Sequence, residues 1–231
     1  MTSLEPLMAH LMAHLMARLA LLLMLVLAGC AEQTAPPPAD TATTPEAAPG
    51  TPPSAGLDRS ETRQDTLYLE GMPEPVTLRR YDEAGLPFVT YVPEGDFAAE
   101  TSAPAEGASV RFTATFGGVR NDDAYLQLFF PAEGSGLDDP GALERFVTEE
   151  LPQRHGWQLQ APGAQTPPCD WAEQGYRFEA DAFLGHVCLG THAGRPFYVL
   201  TRMPGEYADG FGPRAGMILR HLRWRDTGEG L

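Results

Sequence analysis

Apolar and polar positions divide the chain into three stretches with different spacing. Leu7 to Arg18 repeats Leu-Met-Ala-His, Leu-Met-Ala-His, Leu-Met-Ala-Arg, a period that would stack His10 and His14 on one helix face. From Leu19 to Gly29 every position is apolar or glycine, a block roughly half as long as the ~20 residues a membrane-crossing helix needs. From Ala31 to Asp58 the chain is built almost entirely of Ala, Pro, Thr, Glu, Asp and Gly, with no apolar period. Such a stretch cannot bury a core and predicts an extended tether, reaching roughly 80 Å at polyproline spacing. Residues 59–231 are long enough for one globular domain with a sizeable core.

In that last stretch the spacing switches between two and three-to-four. Thr66–Leu69 and Val76–Arg79 flank Gly71-Met-Pro-Glu-Pro75 and predict a hairpin. Pro87–Val92 predicts a strand closed by Pro93. Ser109–Phe116 alternates, putting Val110, Phe112, Ala114 and Phe116 on one face. Gly117-Gly118 and Asn121-Asp122-Asp123 predict the turn into a strand over Ala124–Phe130. A helix follows, with Asp139 as N-cap, Pro140 in the first position and an apolar stripe of Leu143, Phe146, Val147 and Leu151. Pro152 predicts its end or a kink. Strands are predicted over Trp171–Glu179, Phe183–Leu189 and Pro196–Thr201, the last two joined at His192-Ala-Gly-Arg195. A terminal helix carries Phe211, Ala215, Ile218 and Leu222, opened by a capping turn at Asp209 to Pro213, and Trp224 packs back on the sheet. Antiparallel strands, helix, strands, helix describe an α+β fold.

Composition narrows the chemistry. The formal net charge is −15, and all 16 basic residues are arginine. Without lysine there is no lysine nucleophile, Schiff base or P-loop lysine. So acidic a chain is repelled by nucleic acid, and no nucleic-acid partner is expected.

Arg18 before the apolar block gives the layout of a secretory signal peptide. The block ends in Leu27-Ala28-Gly29-Cys30, and here the chain resembles bacterial lipoprotein precursors. The resemblance implies acylation of Cys30, removal of residues 1–29 and anchoring through two or more acyl chains, which hold stably where one does not. Ala31 after the cysteine implies the outer membrane, with the domain facing the periplasm. Met8, Met12 and Met16 are alternatives to Met1 as the start.

Pro87-Phe-Val-Thr-Tyr-Val-Pro93, the strands after it, and Pro204-Gly-Glu-Tyr-Ala-Asp-Gly-Phe-Gly-Pro-Arg214 before an Ile-Leu helix resemble the PsbP-like fold over roughly Leu86 to Arg225. That resemblance implies an α/β/α sandwich with two main helices, and a binding or assembly role without catalysis or cofactor. An envelope protein is the expected partner.

Two cysteines remain beyond the anchor, Cys169 and Cys188. In an oxidising compartment they predict a disulfide. The competing reading is a metal-binding protein or periplasmic enzyme. His186 and Cys188 are two apart on a strand, hence on one face, and with Cys169 and His192 would make a Cys2His2 set. Arg214, Arg220, Arg223 and Arg225 form the one locally basic region and are candidates for an anion or partner contact. No G-x-S-x-G or H-E-x-x-H pattern occurs. Ser135 lies in a flexible turn, and His155 and His221 read as surface histidines.

Overall fold

The alternating segments are strands in the computed structural model, which describes residues 57–160, 169–180 and 182–231. The expectations for the signal segment, Cys30 and the tether up to residue 56 lie outside the described residues. The strands are β1 (Thr62–Leu69), β2 (Met72–Tyr81), β3 (Phe88–Pro93), β4 (Phe97–Ser102), β5 (Gly107–Ala114), β6 (Asn121–Pro131), β7 (Gln158–Leu159), β8 (Gln174–Ala180), β9 (Phe183–His192), β10 (Arg195–Pro204) and β11 (Arg223–Trp224). The helices are α1 (Pro140–Arg145), α2 (Leu151–His155) and α3 (Ala208–Arg220), with a π-helical turn at Phe146–Glu150 joining the first two. All strand pairs are antiparallel, in a four-stranded sheet ordered β1-β2-β3-β11 and a seven-stranded sheet ordered β4-β5-β6-β10-β9-β8-β7. This is the α+β class read from the sequence.

Several local expectations need correction. The first hairpin turns on Glu70-Gly71 alone, both at positive φ (50° and 81°), and pairs Leu69 with Met72. Pro73 and Pro75 therefore sit inside β2, in the stretch where it has only β1 as a neighbour. Asn121-Asp122-Asp123 opens β6 instead of forming a turn. Ala114 pairs with Asn121 while Thr113 pairs with Tyr125, so the acidic residues fill a bulge. The turn belongs to Gly117 and Gly118, at φ 62° and 78°. Gly210–Gly216 and Pro213 lie within α3, which already begins at Ala208 after a 3-10 turn at Gly205–Tyr207. Pro213 has no N–H to offer the Asp209 carbonyl four residues back, and that lost bond falls in the first turn, where Asp209 is exposed.

The Asp139 cap is in place: its carboxylate accepts from the Ala142 N–H at 2.9 Å. Pro152 does not end the helix. Leu151 donates to the Phe146 carbonyl, five residues back, and this wider turn makes room for the proline ring before Gly156 closes the segment.

Alternation gives the large sheet two apolar faces. Val110, Phe112, Leu126, Leu128, Phe197 and Val199 pack with Phe211, Ala215, Ile218 and Leu222 and with Trp224. On the other face, Tyr125, Phe129, Val187, Leu189, Tyr198 and Leu200 pack with Leu143, Val147 and Leu151. Strand β3, buried at all six positions, joins the small sheet to the first cluster, and its Thr90 hydroxyl donates to the Ile218 carbonyl. Met217, on the other side of α3, packs with Leu67, Leu78 and Tyr91 of the small sheet. No helix among the described residues is long and apolar enough to cross a membrane.

The close approach at Gly185 admits only glycine. A Cβ at Gly185 would overlap the Thr201 carbonyl oxygen and the Phe178 ring, whereas one at Gly216, within α3, would meet nothing within 4 Å. Gly185→Ala should lower stability by about 1–3 kcal/mol, and Gly216→Ala should raise it by about 0.5–1 kcal/mol. Thermal unfolding distinguishes them by the opposite sign of their Tm shifts; shifts of the same sign would contradict this packing.

Candidate functional site

The site is built on β9, whose alternation points Val187 and Leu189 to the α1–α2 side and leaves His186 and Cys188 on the α3 side. Cys169, just before β8, is bonded to Cys188, with the two Cα atoms 6.3 Å apart. The expected disulfide is therefore present. Strand β8 starts only at Gln174, later than the alternation suggests, because a turn at Cys169 lets Ala172 N–H donate to the Cys169 carbonyl. Trp171 in this turn stacks on Phe197, centroids 5.6 Å apart.

Between this wall and α3 lies a cavity of about 640 Å³. Cys169, Trp171, His186 and Thr201 line it on the sheet side, and Gly212, Ala215 and Gly216 line it on the helix side. Ala215 and Gly216, three and four residues after Gly212, share its side of the helix, and the three present almost no side-chain bulk, which leaves the space open. His186 faces Thr201 across β10 and Arg177 across β8. Burial, and after it the charge of Arg177, pushes its pKa down to about 4, so the imidazole is neutral near neutral pH.

The four C-terminal arginines are divided. Arg214 donates to the Asp96 carboxylate at 2.8 Å and to the Gly210 carbonyl. Arg225 pairs with Asp82 and donates to the Leu86 and Glu83 carbonyls. Arg220 and Arg223 are exposed, line the cavity mouth and form no ion pair among the described residues. Arg223 spends one amino group on the Arg220 and Leu222 carbonyls.

The Cys2His2 set is only partly assembled. Cys169, His186 and Cys188 offer ligand atoms that all lie within 4.8 Å of one another. His192 stands at the far end of β9, where it bonds Asp226 at 2.8 Å and stacks on Trp224 at 3.9 Å. His221 is not a surface residue: its side chain is 9% exposed and it bonds Asp65 at 2.7 Å. Burial dominates there and holds its pKa below the ordinary value despite Asp65.

A second cavity, about 620 Å³, was not legible in the sequence. His155, Trp157, Phe183 and Arg202 line it. Trp157 stacks between His155 and Phe178, centroids 4.4 and 4.1 Å away. Arg111 lies 3.6 Å over Tyr125, and Arg202 lies 3.8 Å over Phe183 and pairs with Asp123. The available signal was the placement of arginines at inward positions of otherwise alternating strands.

No protein-family model matches the chain, and no curated protein matches it. Among solved structures it is similar to the solution structure of cyanobacterial PsbP (CyanoP) from Synechocystis sp. PCC 6803, at 12% identity and a TM-score of 0.42, over 64% of this chain and 92% of that one.

The bridge closes a loop across 19 positions, a constraint worth about 3 kcal/mol. Cys169→Ala/Cys188→Ala should lose about that much in urea unfolding; unchanged stability would contradict a stabilising bridge. The histidines make a separate prediction. His186 and His221 have folded pKa values below their unfolded ones, so the unfolded chain binds more protons as pH drops. Their contribution is complete above about pH 6.5 and is lost as pH falls, for His186 until about 4. The urea midpoint should decline from pH 7 to 4.5, less steeply in His186→Gln, and an equal slope in both would refute this.

Proposed function

We propose that this chain is a lipid-anchored cell-envelope protein, held by Cys30 in the outer membrane, whose domain binds or assembles with an envelope partner in the periplasm and catalyses no reaction. The observation that carries the reading is the Cys169–Cys188 bridge. Such bonds persist in oxidising compartments, which is where a Leu27-Ala28-Gly29-Cys30 signal would deliver the chain. In the same reading residues 30–58 are the tether and residues 59–231 a PsbP-like α/β/α sandwich. Element order and the covering of both sheet faces support that architecture.

The contact surface is the mouth of the cleft beside α3. On a chain of net charge −15, Arg220 and Arg223 set two exposed positive charges, without ion-pair partners among the described residues, side by side at the mouth of one cleft. Their planar forks suit a carboxylate or another anionic group on the partner.

Two measurements check this. Cys30→Ser should move the protein from membranes to the soluble periplasm and remove fatty acid from its mass; membrane retention would refute the anchor. In cells cross-linked with the full lipidated chain, Arg220→Glu/Arg223→Glu should abolish a specific cross-linked species that Arg59→Glu retains. Loss in neither variant, with wild-type Tm in both, would refute the contact surface.

A further inference from the structure

We propose that Cys169, Cys188 and His186 are a redox-gated site for a thiophilic metal ion of the zinc or copper(I) class, closed while the cysteines are bridged and opened by a dithiol reductant. The proposal is independent of the lipid anchor and of the arginine contact.

Geometry supplies the first support. Two sulfurs and one imidazole nitrogen, each within 4.8 Å of the others, are already a three-ligand cluster. Thiolates bound to a tetrahedral metal through bonds of about 2.3 Å lie about 3.8 Å apart, and an imidazole nitrogen at about 2.0 Å from the metal lies about 3.5 Å from each. Strand register fixes the pairing, because His186 and Cys188 occupy successive positions on one face of β9 and so cannot point apart.

Surroundings supply the second. Among the described residues the His186 ring has no hydrogen-bond partner, whereas His192 is held by Asp226 and His221 by Asp65. Cys169 and His186 both line the cleft beside α3, so a fourth coordination position would face open space and not packed side chains. Three protein ligands and one open position define a site that exchanges metal or takes an external ligand, in contrast to a closed structural finger. Thiolate with imidazole selects zinc or copper(I) over magnesium and calcium.

The gating step balances. A dithiol gives two electrons and two protons to the Cys169–Cys188 bond, which breaks to two thiols while the reductant closes to its own disulfide. Metal binding then releases the two protons, leaving thiolates as ligands. In the bridged form the sulfurs share a bond and no thiolate exists, so binding follows the redox state.

Cobalt(II) is the probe, because thiolate ligation gives it a charge-transfer band and tetrahedral visible bands. Titrated into the full chain in detergent under argon, it should bind the reduced protein at one equivalent with both signatures. The bridged protein should bind at least about 100-fold more weakly, without the charge-transfer band. Reduced His186→Gln should lose about 10–100-fold in affinity and shift the visible bands, while His192→Gln should match the wild type. Circular dichroism follows folding in every state. Equal binding by bridged and reduced protein, equal binding by His186→Gln, or unfolding on reduction would each overturn the proposal.

Discussion

A sheet that is apolar on both faces cannot meet water on either, and every other placement in this domain follows from that. Strand β10 is buried at nearly every position, with Phe197 and Val199 facing one way and Tyr198 and Leu200 the other. Each face must be covered. The α1–α2 segment covers one, and α3 with the small sheet covers the other. Helix α3 meets the sheet through Phe211, Ala215 and Ile218 but carries Gly212 and Gly216 toward β9, and the shortfall of side-chain volume is the cleft. The candidate site is thus a by-product of how the second face is closed. The bridge then fixes the floor of that cleft to the turn before β8.

Much of this was legible where the determinant is local. Asp139 capping, the apolar stripe of the first helix, the Ala193-Gly194 hairpin turn and the terminal helix stripe all depend on residues within one or two turns of each other. Strand β4 escaped because, as the edge of the large sheet, it exposes most of its side chains and shows no alternation. Pro152 misled because the turn that accommodates it forms upstream, at Phe146–Glu150. Asn121-Asp122-Asp123 carries turn chemistry, but two neighbouring glycines take the turn and leave the acids to a bulge.

The site shows the same boundary. Cys169 and Cys188 pair as compartment logic suggests, and His186 joins them because of strand period. The fate of the arginines was not readable. Arg214 meets Asp96 across 118 positions, and Arg225 reaches the Leu86 carbonyl across 139, so which cations remain unspent is decided only by the fold. His192 shared the sequence neighbourhood of Cys188 but not its space, since four strand positions, about 13 Å at strand spacing, carry it to the end of β9. In a chain without lysine, arginine ion pairs tie distant elements together and leave two charges beside one cleft.

Export is the claim that links the anchor, the bridge and the partner surface. Intact mass of the protein extracted from membranes without reductant tests it most directly. The lipid-anchored reading predicts a chain beginning at Cys30, heavier by a diacylglycerol and a further acyl group and lighter by the two hydrogens of the bridge. An unacylated chain retaining residues 1–29 with both thiols free would contradict it.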